Sequence, residues 1–474
     1  MAGVGRTPEG GTRAAADFAA IRVEFGLPGE FPTAALAEAE QTSSETVHRL
    51  ARRDATDLPL VTIDPPGAKD LDQAVFVQRL PAGFRVHYAI ADLGAVVPPG
   101  GALDAEVRRR GQTLYLPDGS VPLHPPVLSE DAASLLPEQS RNAVLWTIDL
   151  DDDGEPAGVH VERAVVRSTA QFDYATVQAA IADGTVHPSV AALPELGRLR
   201  RGLAVRRGAI ELALPEQEIQ PAGEGGWRLV VRPRTEVDGW NAEISLLTGM
   251  CAARIMLDAG IGILRTLPDA NEGAVHELRR TAAALGLDWP ERMGAAELLA
   301  SLDPAEPTSL ALSADATRLL RGAGYTAFDG APPEVVTHAG IGAPYAHVTA
   351  PLRRLVDRFA TEVCLAVVAG DPVPAWLRAA LPELPPLMEA SDRLAAQVDR
   401  ACIDQVESWL LAEAVGQSFD AVVLRTNSEG GEIFVTEPPV LAKCRGAGLV
   451  EAERVRVRLV EADPVRRKVS FETE

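Results

Sequence analysis

The sequence predicts an α+β protein in three parts. These are a small N-terminal helical domain over 1–54, a large core of mixed sheet and helices over 55–415, and a five-stranded OB-type β-barrel over 416–474. Three observations carry this reading. Period-two apolar runs cluster between Leu60 and Ser168, helical spacing takes over from Asn241, and short β-type runs fill the last segment. The length of 474 residues matches about three domains at roughly 150 residues each.

Residues 1–12 read as a Gly-rich tail without an apolar leader, and 13–50 carry helical patterning broken at Gly26–Pro28. That unit is too small to bury a core alone and is expected to dock on the rest of the chain. Leu60–Ile63 is a short strand ending at Asp64, before the turn Pro65-Pro66-Gly67. Asp70–Leu80 and Phe84–Asp92 form a hairpin around Pro81-Ala82-Gly83. Ala143–Leu150 and Val159–Ser168 form another around Asp151–Gly154, and Arg228–Arg234 is a further strand. Helices are expected over 241–259, 271–285, 294–302, 313–323, Pro351–Ala369 and Met388–Val415. Barrel strands are expected at Phe419–Leu424, Glu432–Val435, Val440–Lys443, Arg454–Leu459 and Lys468–Phe471.

Composition narrows the function. With 46% hydrophobic residues the chain is neither disordered nor a disulfide scaffold, and Cys251, Cys364, Cys402 and Cys444 lie too far apart for a zinc site. The apolar stretch Ile244–Leu267 is interrupted by Arg254 and Asp258, so it does not read as a membrane span, and a cytoplasmic protein is expected. A formal charge of -22 argues against an open basic surface for nucleic acid. Yet of 45 basic residues only Lys69, Lys443 and Lys468 are lysine, and the rest are arginines suited to bidentate phosphate binding.

The richest stretch is Thr62–Ala74. Asp64 ends one strand, and Asp70 and Asp72 open the next, so a spacing of two puts both carboxylates on one face. The turn can fold Asp64 back toward them, and three such carboxylates would suit a hard cation such as Mg²⁺. A solvated Asp-rich turn is the competing reading. The run Tyr345–Arg358 offers Thr349 as a helix N-cap and Arg353 near a helix N-terminus, where an anion is favoured. The alternative is an Arg353–Asp357 pair four residues apart. Tyr115, beside Pro117-Asp118-Gly119, can stack on a base or sit in a core. Asp149-x-Asp151-x-Asp153-Gly154 copies the start of a calcium loop, but its twelfth position is His160 and its flanks alternate as strands, so it reads as a hairpin turn.

The runs Thr62–Ala74, Tyr88–Asp92, Thr113–Pro117, Leu123–Ser129 and Thr349–Asp357, in this order, resemble the ribonuclease II/ribonuclease R (RNB) family. The resemblance covers roughly 55–415, and the tail is similar to the S1-type OB domain of that family. It implies an RNB catalytic domain acting as a processive 3′→5′ exoribonuclease that uses Mg²⁺, or Mn²⁺ in its place. The substrate would be single-stranded RNA threaded to a buried site, and the products nucleoside 5′-monophosphates. By position, Asp64, Asp70 and Asp72 match the metal-binding and catalytic aspartates, and Arg353 the arginine on the scissile phosphate. Tyr115 matches the aromatic clamp on the 3′-terminal base, and Glu243 an acidic position facing the terminal nucleotides. Arg354 and His347, in the same run as Arg353, join the expected RNA contacts. No obligate protein partner is implied, and a monomer is expected.

Two departures stand out. Gln73 occupies the place of a fourth aspartate and offers an oxygen ligand without charge. The second stacking aromatic expected near Pro215-Glu216-Gln217 is absent. The two cold-shock barrels common in the family have no counterpart in the N-terminal segment, so RNA capture would rest on the tail barrel and the helical cap. A catalytically silent RNA-binding relative is the alternative that Gln73 motivates.

Overall fold

The computed structural model describes residues 18–45 and 51–474, except 213, 215, 223–225, 233 and 305. The expected tail at 1–12, the start of the first helical run at 13–17 and the apolar group Val47–Leu50 lie outside the described residues.

Alternating apolar positions build one seven-stranded sheet. Its order is Arg53–Asp54, Pro156–Arg167, Ser140–Leu150, Phe84–Ala91, Gln73–Arg79, Val61–Ile63 and Ala170–Phe172. The central pairs are antiparallel, with Tyr88 opposite both Val75 and Trp146, and both edge strands join in parallel. The turn before Phe84 needs Gly83, at φ +77°, because a Cβ there would lie 1.8 Å from the Leu150 carbonyl oxygen. The aspartate-rich loop is a hairpin turn between Leu150 and Pro156, as expected, and Asp149 is taken by Arg85 at 2.6 Å.

Helices Glu236–Ala259 and Leu355–Ala369 cover the sheet, sharing a buried core with Tyr88, Ile90, Trp146 and Ile148. The first starts earlier than its apolar pattern because Thr235 and Asp238 close a capping box. It ends at Gly260, at φ +70°, and Ile261–Thr266 turns into a strand, splitting the long apolar stretch in two. The expected helix over 313–323 instead spans Pro307–Ala316, and the helix expected from Pro351 begins only at Leu355. The long C-terminal helix runs Leu384–Leu411, with Pro385 and Pro386 tolerated in its first turn. The strand expected at Arg228–Arg234 spans Gly226–Val231 and pairs with Gln217–Ala222, a partner that no alternation had signalled.

Residues 418–473 close a barrel of five strands: Ser418–Asn427, Gly430–Thr436, Pro439–Arg445, Arg454–Asp463 and Lys468–Thr473. Among the described residues the N-terminal helices Phe18–Glu24 and Thr33–Glu45 have no core of their own. Phe18 and Ile21 join the cluster of Val398, Cys402 and the barrel interior, while Ala35 and Ala39 enter the main core. All four cysteines are free and buried. Among the described residues no helix is long and apolar enough to cross a membrane.

Candidate active site

Val61–Ile63 delivers Asp64 to the end of its strand, where the Asp64 N–H donates to the Phe172 carbonyl at 3.0 Å. Gly67, at φ +81°, closes the following turn. Asp70 and Asp72 do not open a strand as their spacing suggested, because pairing begins only at Gln73. The segment before it is tied down from elsewhere. Leu71 N–H donates to Ser134 Oγ at 3.0 Å, and Leu135 N–H returns a bond to the Leu71 carbonyl at 3.0 Å. Asp72 is therefore buried, at 4% exposure, while Asp70 stays half-exposed.

The opposite wall is the turn Ala350–Arg354. Thr349 does not cap a helix; its hydroxyl meets Ser245 Oγ at 2.7 Å. Asp357 reaches back from the Leu355–Ala369 helix and accepts the Ala350 N–H at 2.7 Å. The same carboxylate takes the Arg354 guanidinium in two bonds of 2.9 and 2.8 Å. The alternative Arg353–Asp357 pair does not form; Asp357 pairs with Arg354. Arg353 turns to Asp72 instead, with Nε 3.5 Å from Oδ2, and Leu352 N–H donates to Asp72 Oδ1 at 2.7 Å. Tyr115, 54% exposed, places its hydroxyl 3.0 Å from Asp70 Oδ2.

The electrostatics follow from burial. Desolvation pushes the Asp72 carboxyl up to about 8 even with Arg353 beside it, and pushes Asp64 up to about 6. Asp70 adds like charge to both. Asp64 Oδ2 is buried with no hydrogen-bond partner. Among the described residues no three His, Cys, Asp or Glu side chains come close enough to enclose a metal ion, so the three carboxylates are neighbours without being a closed cage. The donor set still fits a hard cation. Two desolvated carboxylates with an orphaned oxygen need more positive charge than one arginine supplies.

Four of the expected site residues are engaged by protein partners. Gln73 is no free ligand: its Nε2 donates to the Thr349 carbonyl at 2.7 Å, which fixes the amide orientation, and its Oε1 accepts the Tyr88 hydroxyl. Glu243 faces the Leu193–Arg206 helix instead of the cleft. It is 6% exposed, with a carboxylate oxygen 3.9 Å from Arg200 Nε. Arg354 is paired with Asp357 while lining the same cleft as Tyr115 and Arg353. His347 bonds Tyr325 through Nδ1 at 2.7 Å, and burial among Arg354 and Arg265 holds it well below the usual imidazole range.

Sequence reasoning missed the far wall. A cleft of about 460 Å³ runs from Tyr115 and Arg353 to Ala395, Ala396 and Asp399 of the long C-terminal helix. It also missed Tyr88 and Ser245 as supports for Gln73 and Thr349. Ser245 and Thr349 are brought together from segments far apart in the chain, and the hairpin's alternation does not say that Tyr88 reaches Gln73.

An α+β core whose cleft sets buried aspartates against an arginine, followed by a small β-barrel, defines a known class. The RNB domain model matches residues 52–369 and the RNase II-type exonuclease C-terminal S1 domain model matches 417–474, and the chain belongs to the RNB family. Among its relatives, ribonuclease R of Escherichia coli is 32% identical over 326 residues, covering 65% of this chain and 39% of that protein. The exosome complex exonuclease RRP44 homolog A of Arabidopsis thaliana is 29% identical over 452 residues, covering 89% of this chain and 47% of that protein. The chain thus spans about half the length of the curated relatives it matches. In fold it is similar to the apo form of Mycoplasma genitalium RNase R, with a TM-score of 0.87 at 21% identity over 96% of this chain and 77% of the other. It is also similar to yeast Ssd1, described as a pseudonuclease, with a TM-score of 0.70 at 15% identity over 88% and 54% of the two chains.

Proposed function

We propose that this chain is a divalent-metal-dependent 3′→5′ exoribonuclease that shortens single-stranded RNA processively to nucleoside 5′-monophosphates. The observation that carries the reading is the pair of desolvated carboxylates, Asp64 and Asp72, with Arg353 held beside them by the Asp357–Arg354 ion pair. RNA-bound structures of Mycoplasma genitalium RNase R support RNA as the ligand class.

In this reading Asp64 and Asp72, with Asp70 at the rim, hold Mg²⁺ or Mn²⁺. When bound, such an ion activates water and neutralises phosphate charge. Arg353 contacts the scissile phosphate and stabilises the charge that builds on it in the transition state. The exposed ring of Tyr115 stacks on the 3′-terminal base, and the cleft running to Ala395 and Ala396 accommodates the nucleoside. Asp72→Asn removes charge at the most buried position. It should cut cleavage by at least about a hundredfold while RNA binding, read by fluorescence anisotropy, stays within about threefold. Equal cleavage by the variant would remove Asp72 from the chemistry.

A second reading is favoured by Gln73. A neutral amide, already paired on both its atoms, stands where the family resemblance places a fourth carboxylate. A silent RNA-binding protein would then bind RNA without consuming it, whatever divalent ion is supplied.

A further inference from the structure

A second cavity, of about 630 Å³, lies where the helices Glu272–Ala284 and Pro307–Ala316 meet the barrel. An apolar seam fixes that junction: Ala314 and Leu310 pack on Val422, Leu424 and Phe434 of the barrel. The register of the first barrel strand shifts between Val423 and Arg425, and an irregularity of this kind re-aims a side chain. Arg425 here leaves the barrel and lines the cavity, with Nη2 donating to Thr317 Oγ1 at 2.8 Å. Its Nε is buried with no partner.

The charges lining this cavity are unevenly paired. Glu277 and Asp315 both close on Arg318, and the exposed Asp269 lines the same cavity at its rim. Arg321 and Arg425 have no carboxylate partner among the described residues, and Arg321 is exposed at the rim. The start of the Glu272–Ala284 helix lines the same wall at Gly273 and Ala274, with the Ala274 N–H donating to its cap Asn271 Oδ1 at 2.8 Å and Glu272 in the first turn. Arg425 also lies just before the turn joining the first two barrel strands. On OB barrels that loop, together with the face of the second and third strands, is where oligonucleotides lie.

We propose that this cavity is a phosphate subsite in which Arg321 and Arg425 hold a backbone phosphate of RNA passing between the barrel and the core. It rests on the RNA reading above but not on cleavage, and a free 5′-mononucleotide would offer the same phosphate chemistry.

The test measures binding by full-length protein in EDTA, so that RNA survives. A fluorescent 20-nucleotide oligoadenylate and a 4-nucleotide one are titrated by anisotropy over a range of salt, with 5′-AMP as competitor. The variants are Arg321→Glu, an exposed position that leaves the core intact, and Arg425→Lys, which keeps the charge but not the two-point geometry. The proposal expects Arg321→Glu to weaken the 20-mer about tenfold and to make its salt slope shallower by about one. Arg425→Lys should weaken it by a smaller factor, and the 4-mer, too short to reach the barrel, should be spared. If 5′-AMP protects the native protein against thermal unfolding and fails to protect Arg321→Glu, the phosphate comes from free nucleotide and the subsite stands. Unchanged 20-mer affinity and unchanged 5′-AMP protection in both variants would overturn it. A chain that shows the expected losses but never cleaves RNA with metal added would refute the nuclease reading alone.

Discussion

Arg353 and Arg354 are adjacent in sequence, and their different surroundings separate their roles. Asp357 absorbs Arg354 in a two-bond ion pair, which leaves Arg353 facing Asp72. Motif spacing placed both arginines near the site, but spacing does not say which one a helix carboxylate will neutralise. The same limit applies to Gln73, whose partners Thr349 and Tyr88 come from another loop and another strand, and to Glu243, which the helix turns toward Arg200. Tyr115 has two features that substitution can separate, and the proposed stacking role uses only one of them. Its ring is exposed and its hydroxyl binds Asp70. Tyr115→Ala should raise KM for RNA about tenfold through lost stacking, and Tyr115→Phe should stay within about twofold. Equal losses in steady-state kinetics of the two variants would place the role on the hydroxyl.

At the scale of elements, the hairpins, the main helices and the barrel were legible because each repeats its apolar period several times. Two boundaries at the site were not. The strand starts at Gln73 and the helix at Leu355 because side chains occupy the preceding backbone groups, Ser134 from a distant segment on Leu71 and Asp357 reaching back from its own helix to Ala350. Helix contacts are equally tight elsewhere. A Cβ at Gly197 would lie 2.2 Å from the Trp240 ring, so Gly197→Ala should cost about 1–3 kcal/mol in urea unfolding. Glu407 of the long helix joins Gln217 and the barrel, with Oε1 accepting Gln217 Nε2 at 2.8 Å and Leu441 N–H at 3.3 Å. Burial pushes its carboxyl from 4.5 up to about 7. The unfolded chain therefore releases this proton first, and stability is lost as pH rises from about 4.5 to 7. Glu407→Gln keeps the acceptor without the charge. Its melting temperature should equal the native value at pH 4 and exceed it at pH 8, by the equivalent of about 1–3 kcal/mol. A variant no more stable at pH 8 would contradict this.

For the whole molecule, the charge of -22 pointed away from nucleic acid because a sum over residues ignores position. Many arginines are spent on neighbours, as in Arg85–Asp149, Arg163–Asp92 and Arg358–Asp104. In the proposed reading phosphate binding falls to Arg353, whose partner Asp72 belongs to the site itself, and to Arg321 and Arg425, which meet no carboxylate among the described residues. The α+β class and the closed C-terminal barrel were legible from composition and period. Where the N-terminal helices dock, on the long helix and the main core, was not, since amphipathic faces do not name their partner.

The most direct test of the central claim is the product ladder from one RNA labelled at its 5′ end, incubated with purified protein in Mg²⁺ and, separately, in EDTA. A metal-dependent exonuclease gives short labelled end products with mononucleotides accumulating in Mg²⁺, and intact RNA in EDTA. RNA left intact in Mg²⁺ and in Mn²⁺ by protein that binds it would contradict the account and leave Gln73 as the mark of a silent relative.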